Sequence, residues 1–234
     1  MIELDPSGLP ALARWFPVGQ PGAAALAEHV LATQNGRWWA DRPEAPRTVG
    51  VSGGDRAVLR GDAQGLPLGT VGPLAASRAV LSRVEAREWM VYVKGAPPLP
   101  VRVPRGVAVR RLTAEDAPAL AGVVHEASWI HATWGGPRGL AGSGAAWGAF
   151  RRGWLLAVAC THVLGSRYED VAVHAEPGHR GEHLALACVG ALCGDVAVRG
   201  RTPSWSCSRH DRTGRLLAWQ AGFRLQQEYV HYAL

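Results

Sequence analysis

The 234-residue sequence predicts an α/β (α+β) protein in two lobes. The first observation is the stretch from Tyr168 to Ala191. There Val171-Ala172-Val173-His174-Ala175 reads as a strand, Glu176-Pro177-Gly178 breaks it, and Leu184, Ala185, Cys188, Val189 and Leu192 recur at helical spacing. The second is the order helix, helix, strand, strand, helix, strand across residues 1–98. The third is the proline-rich run from Leu99 to Arg105, which joins the lobes without belonging to either core, because proline fixes φ and removes a backbone donor. The expected division is an N-terminal α/β lobe over 1–98, a linker over 99–105 and a second domain over 106–234.

In chain order, residues 7–16 and 21–34 read as helices, the second turning Ala24, Leu26, Ala27, Val30 and Leu31 to a core and closing at Asn35-Gly36. Thr48 to Val51 and Arg56 to Arg60 flank Ser52-Gly53-Gly54-Asp55 as a hairpin. Leu74 to Trp89 carries helical spacing, and Met90 to Val93 reads as a strand. Beyond the linker, Val107 to Leu112 reads as a strand. Thr113-Ala114-Glu115-Asp116 then opens a helix, with Thr113 as N-cap and Asp116 three residues on. Residues 129–146, around Trp134-Gly135-Gly136-Pro137, read as a long substrate-side loop. Trp147 to Phe150 and Trp154 to Cys160 form a hairpin, and Phe223 to Gln227 with Glu228 to Tyr232 read as a closing strand pair.

At 47% hydrophobic residues the chain can fill a sizeable core. No apolar run reaches the ~18 residues of a membrane span, and Met1-Ile2-Glu3-Leu4-Asp5 lacks the basic-then-apolar order of a signal peptide. A cytoplasmic protein is expected. Cys160, Cys188, Cys193 and Cys207 form no CxxC pair and read as buried thiols. The net charge of +6 suits an anionic partner, either nucleic acid or a multiply phosphorylated cofactor. No nucleic-acid motif accompanies the charge, which ranks that class last.

A strand, a tight turn and a helix N-terminus make an anion site, since the first helical turn has backbone N–H groups without intrahelical partners at the positive end of the macrodipole. The turn is too short and too poor in glycine for GxxxxGK[ST] or GxGxxG. Arg180-Gly181-Glu182-His183-Leu184-Ala185 instead resembles the pyrophosphate signature [RQ]xxGx[GA] of the GCN5-related N-acetyltransferases (GNATs), with His183 at the usual central glycine. Downstream, Thr202 to Phe223 is similar to the family's closing segment, a strand, NxxS opening a helix, then Gly-Phe leading to a last hairpin. Asp211 stands at the Asn and Gly214 at the Ser of that motif. The resemblance covers roughly residues 106–234. Pro203-x-Trp205-x-Cys207-Ser208 and Tyr168-Glu169-Asp170 bring it nearest to two-lobed acetyltransferases of the zwittermicin-resistance type.

The resemblance implies a mixed central sheet flanked by helices, with residues 1–98 either a degenerate copy of the same architecture or an unrelated α/β lobe. It implies acetyl-CoA as co-substrate, held by the backbone of Val173, His174 and Ala175 and by Arg180, Gly181, Glu182, His183, Leu184 and Ala185, with Asp211 and Arg215 near the pantetheine exit. Asp170 and Glu169 are the candidate general bases, acting directly or through a water. Asp170 is preferred because strand alternation puts it on one face with Ala172 and His174, whereas the alternative for both is a charged pair facing water. The family's thiolate-protonating tyrosine falls near Ala218, leaving Tyr168, Tyr229, Tyr232 or water as the acid. Arg199, Arg201, Arg209, Arg212 and Arg215 are candidates for the 3′-phosphate of coenzyme A, or a solvated basic face. Trp129 and Trp134 are candidate acceptor contacts, since a glycine-rich loop offers them little to bury against. His174, His179, His183 and Cys188 lack metal-ligand spacing, and no metal is expected. The function implied is acetyl transfer from acetyl-CoA to a small-molecule amine by direct attack in a ternary complex. The alternative is an inactive acyl-CoA-binding or interaction protein. A homodimer is compatible with either, and neither nucleic acid nor membrane is an expected partner.

Overall fold

The computed structural model describes residues 2–4, 14–54, 56–61, 85–123 and 125–233. In the N-terminal half, β1 (Ile2–Glu3), a 3-10 turn (Gly22–Ala25), α1 (Leu26–Thr33), β2 (Arg37–Ala40), β3 (Thr48–Gly53) and β4 (Arg56–Gly61) follow in order. The strands pair antiparallel as β1-β2-β3-β4, and the expected hairpin turns through Gly54 at φ 61°. α1 lays Leu26 and Val30 against Phe16, Trp38, Val49 and Val51, as its apolar spacing requires. It ends at Gln34, which is left-handed at φ 59°, one residue before the expected Asn35-Gly36 stop. Residues 7–13 of the first expected helix lie outside the described residues, and Arg14 to Phe16 form turns.

The larger sheet contains β5 (Glu85–Lys94), β6 (Val107–Arg111), β7 (Ala146–Arg151), β8 (Trp154–Leu164), β9 (Tyr168–Ala175), β10 (Thr202–Ser208) and β11 (Phe223–Ala233), in the order β11-β5-β10-β9-β8-β7-β6. Only β9 and β10 run parallel; all other neighbours are antiparallel. α2 (Ala117–Ala121), a 3-10 segment (His125–Trp134) and α3 (Pro137–Gly142) cover one face. α4 (Leu184–Val198) and α5 (Arg212–Gln220) cover the other.

Two expectations fail together. Residues 85–89 are strand rather than the end of a helix, and β5 is not in the N-terminal sheet: it lies between β10 and β11. β11 is one strand with a bulge between Leu225 and Gln227 rather than a hairpin, because Gln226-Gln227-Glu228 contains no turn-forming residue. The antiparallel neighbour comes from the other half of the chain. The boundary expected at 98 therefore cuts across one sheet. Residues 95–106 connect β5 to β6 on the far edge, five strand spacings or about 24 Å away. On the way Leu99 N–H donates to Gln220 O (2.8 Å) and Val101 packs on the core.

The expected loop over 129–146 is also wrong in form, since the 3-10 segment and α3 occupy most of it. Thr113 and Asp116 form the expected capping box. The N-terminal half docks on the larger sheet through His29, which is fully buried. Its Nε2 lies 2.9 Å from Thr133 O, and Nδ1 accepts from Leu164 N (3.0 Å). A carbonyl on one side and an N–H on the other are matched by a single neutral tautomer, and burial, against the pull of the Thr133 bond, lowers the ring's pKa in the same sense.

Candidate functional site

The parallel pair β9/β10 is joined only from Tyr168 to Val171, opposite Thr202 to Trp205. Past that point β9 keeps its other neighbour, with Ala172 to Ala175 opposite Cys160 to Ala157 on β8. β10 likewise keeps β5, with Ser206 to Ser208 opposite Val91 to Trp89. A wedge thus opens between two strands that are each held from outside, and it presents backbone groups of Val173, His174 and Ala175 on one side and Ser206 onward on the other. Unpaired strand edges of this kind take an extended ligand by main-chain hydrogen bonds.

At the open end of β9 a 3-10 turn, Pro177–Glu182, leads into α4. Arg180 is exposed, Gly181 and Glu182 continue the turn, and Leu184 is buried with Ala185 half-buried at the start of α4. His183 is not helical. It is the N-cap residue of α4, left-handed at φ 56°, at the position where the motif has glycine. A left-handed residue with a Cβ costs about 1–2 kcal/mol, and the His183 side chain makes no capping bond in return. His183→Gly is therefore expected to stabilise the protein by about 1 kcal/mol, seen as a melting temperature higher by about 2–4 °C. A lower melting temperature would show that the imidazole contributes more than the strain removes.

At the vertex of the wedge Asp170 is 3% exposed. Its Oδ1 accepts from Ser204 Oγ and Ser206 Oγ, both at 3.0 Å, and Ser204 Oγ in turn accepts from Gly22 N–H (3.2 Å). Gly22 is left-handed at φ 74°, and a Cβ there would come 2.7 Å from Ser206 Oγ, so the N-terminal half closes on this carboxylate through a glycine. Burial pushes the Asp170 carboxyl above the ordinary range, against the Arg56 charge and the two serine donors.

Glu169, the other candidate base, behaves in the opposite way. It points to the α4 face, is fully buried, and is bound by Arg199 (Nη2–Oε2 2.7 Å), Arg201 (Nη1–Oε1 3.1 Å) and Thr161 Oγ1 (2.5 Å). Burial alone would raise it, but Arg199, Thr161 and Arg201 outweigh that and hold it below the usual value. Arg199 and Arg201 are thereby paired with Glu169, and Arg209 pairs with Glu88 (2.8 Å) at the surface.

Asp211 caps α5 by accepting from Gly214 N (2.8 Å). A Cβ at 214 would collide with that carboxylate, so the two departures from NxxS belong together. Arg215 Nη1 donates to Arg209 O (2.9 Å), and the hydroxyl of Tyr92 donates to Met90 Sδ (3.4 Å). Tyr92 stands opposite Trp205, the last β10 residue paired with β9, and no reading of residues 106–234 could have found it because it arrives on β5. Burial raises its pKa, with the nearby Arg215 charge opposing. Tyr168 lies at the closed end of β9, and the side chains of Tyr229 and Tyr232 lie outside those described. Trp134 and Trp129 do have surfaces to bury against. Trp134 Nε1 donates to Thr161 O (2.6 Å) and its ring meets His29 edge-on at 5.0 Å, while Trp129 meets His162 at 5.5 Å. Both rings pack against the core of residues 112–172, and Trp134 also reaches the N-terminal half at His29.

Among the described residues no group of three His, Cys, Asp or Glu side chains could hold a metal, and no helix is long and apolar enough to cross a membrane. The four cysteines are buried and unpaired.

A GNAT acetyltransferase family model matches residues 102–232. An uncharacterized N-acetyltransferase encoded in the mutA 5′ region of Streptomyces virginiae is 49% identical over 212 residues, 85% of this chain and 90% of that protein. A GCN5-related N-acetyltransferase-like protein of Streptococcus suis superposes over 97% of this chain and 98% of its own at TM-score 0.69 and 18% identity. A tandem GNAT protein from the clavulanic acid biosynthesis pathway does so over 99% and 96% at TM-score 0.57 and 13% identity. With the family model spanning more than half of the sequence and a relative at this identity along most of its length, the chain belongs to the GNAT acetyltransferase family.

Proposed function

We propose that this acetyltransferase moves an acetyl group from acetyl-CoA to the amine of a small molecule by direct attack in a ternary complex, in the cytoplasm. The observation that carries the reading is the wedge between β9 and β10 ending at the turn before α4. It offers an extended slot for a pantetheine arm and an anion site for the pyrophosphate at its mouth. Asp170 takes a proton from the amine, whose lone pair then attacks the thioester carbonyl carbon. Backbone N–H groups at Val173 to Ala175 stabilise the oxyanion. The C–S bond breaks as the tetrahedral intermediate collapses, the Tyr92 hydroxyl protonates the departing thiolate, and the resulting tyrosinate takes the second proton from the new amide nitrogen. Asp211 and Arg215 flank the arm on the β10 side, and Trp129 and Trp134 shape the acceptor side from behind. Pro203-x-Trp205-x-Cys207-Ser208 and Tyr168-Glu169-Asp170 place the enzyme nearest the two-lobed acetyltransferases of the zwittermicin-resistance type in this proposal.

One observation favours a second reading, an acyl-CoA-binding protein without turnover: Asp170 is 3% exposed beneath Gly22, which limits its access to an amine. Thermal melts with acetyl-CoA test what the two readings share. A ligand at ~100 times its Kd adds about 2.7 kcal/mol of stability, and no rise in melting temperature at millimolar acetyl-CoA removes both. A screen of amines for free-thiol release from acetyl-CoA then separates them.

A further inference from the structure

On the face of the larger sheet away from α4, polar groups from both halves of the chain gather around Asp170. β8 carries a bulge there: Thr161 stands opposite Val171 and Val163 opposite Asp170, so His162 is the extra residue between them. Its ring turns to the face covered by the 3-10 segment and meets Trp129 edge-on at 5.5 Å, whereas Thr161 turns to Glu169 on the α4 face. His162 is 1% exposed, and among the described residues neither ring nitrogen finds a partner with hydrogen-bond geometry. Burial, with the Arg56 charge added, lowers its pKa to about 3 against the pull of the Ile130 carbonyl. The ring is therefore neutral, with one donor and one acceptor nitrogen.

The N-terminal half brings a cation to the same place. Gly54, at the β3–β4 turn, is seated on the 3-10 segment: a Cβ there would come 3.0 Å from the backbone of Ala132 and of Thr133, and Thr133 Oγ1 donates to His162 O (2.6 Å). Arg56 pairs with Gly53 across that turn and is half-buried, so it reaches solvent while His162 and Asp170 do not. Its charge acts on both of them, and among the influences that favour the ionised Asp170 carboxylate it comes ahead of Ser204 and Ser206. The two serines hold Asp170 by hydrogen bonds, whereas Arg56 acts by charge alone, across a gap. A carboxylate that receives an amine and a guanidinium set apart from it complement a molecule with an amine at one end and a carboxylate at the other.

We infer that the acceptor is an amine that also carries a carboxylate, which the Arg56 guanidinium holds while Asp170 receives the amine and His162 offers a neutral hydrogen-bonding group beside them. The inference rests on acetyl transfer with Asp170 as the base, and it supplies the class of acceptor. Arg56 is a specificity residue in this scheme and takes no part in the proton transfers.

The test is thiol release from acetyl-CoA with matched acceptors: α-amino acids, β-alanine and γ-aminobutyrate, each against its decarboxylated amine and its amide, which bracket its amine in basicity. The wild type is expected to use the carboxylated member with kcat/KM at least about tenfold above both matches. In Arg56→Gln that ratio falls to about one, through a higher KM for the carboxylated acceptors. Because Arg56 also favours the ionised Asp170, the variant loses rate with every amine at neutral pH, and comparison within a matched set cancels that loss. Arg56→Lys keeps the charge without the planar fork and is expected to retain part of the preference. Wild-type acceptors that work equally well without the carboxylate overturn the inference whether or not either variant folds, and so does a preference that survives in a folded Arg56→Gln; both results leave acetyl transfer intact. If no amine releases thiol, the transfer reading falls instead, and calorimetric titration of the same amino acids into the wild type and Arg56→Gln decides. Binding that the folded variant loses sustains the Arg56 site, and no binding to the wild type overturns it.

Discussion

Asp170→Asn is expected to lower turnover by roughly 10²- to 10⁴-fold with acetyl-CoA affinity nearly unchanged, since it deletes a positioned base and keeps its size and its serine partners. The pH dependence carries a second signature. The Asp170 carboxyl is raised in the folded protein, so the activity of the wild type climbs with pH through a value above the ordinary carboxylate range. In the Asn variant that acid limb is absent. Stability moves the other way. A raised folded pKa means that the native state holds its proton more tightly than the unfolded chain, so stability falls as pH rises from about 3.9, the unfolded value, through the folded one. Asp170→Asn removes that loss and should melt higher than the wild type at pH 7. Full activity in Asp170→Asn, with the acid limb still present, would rule out this residue as the base and leave a water or the acceptor's own basicity to serve.

Glu169→Gln should be a stability mutant rather than a catalytic one. Glu169 is fully buried between Arg199 and Arg201, which are 29% and 30% exposed, so removing its charge leaves two guanidinium groups with partial access to water. Breaking such a pair from one side costs about 3 kcal/mol at the lower end of the buried range, or a melting temperature lower by about 6–12 °C. The sign with pH is fixed by the lowered folded pKa. The contribution of Glu169 is complete above its unfolded value and is lost as pH falls through the folded one, so the gap between wild type and variant narrows in acid. Turnover per folded molecule is expected to be unchanged. A variant that melts normally and has lost activity would return Glu169 to the reacting centre.

Neighbouring carboxylates with opposite roles show where sequence reasoning ends. Alternation along a strand puts Asp170 and Glu169 on opposite faces and is readable from period two alone. What each face meets is not readable. Glu169 finds Arg199, 30 residues on at the end of α4, and Asp170 finds Ser204 and Ser206 through the parallel register of β9 and β10 and Gly22 through a contact spanning the chain. The left-handed conformation at His183 was half legible: the motif marks a glycine position, but only the turn built around it shows that the replacement keeps the glycine's backbone. Tyr92 was not legible at all within the family-like half, since nothing local in Met90 to Val93 says which sheet will accept it.

By itself the sequence determined what local chemistry can encode. The hairpin at Gly53-Gly54, the Thr113 capping box, α1 and α4, the strand from Tyr168 to Ala175 and the turn after it follow from periodicity, turn residues and caps acting within a few positions. The tertiary structure alone decided the partners of β5, the pairing of Asp170 with the N-terminal half, and the conversion of Glu169 from candidate base to buried ion pair. Strand propensity makes a strand without choosing its neighbours; the choice depends on which edges remain open and which faces bury apolar area once the rest of the chain has packed. Here the open edge lay between β10 and β11, and a strand with Met90 and Tyr92 to bury on the α4 face filled it.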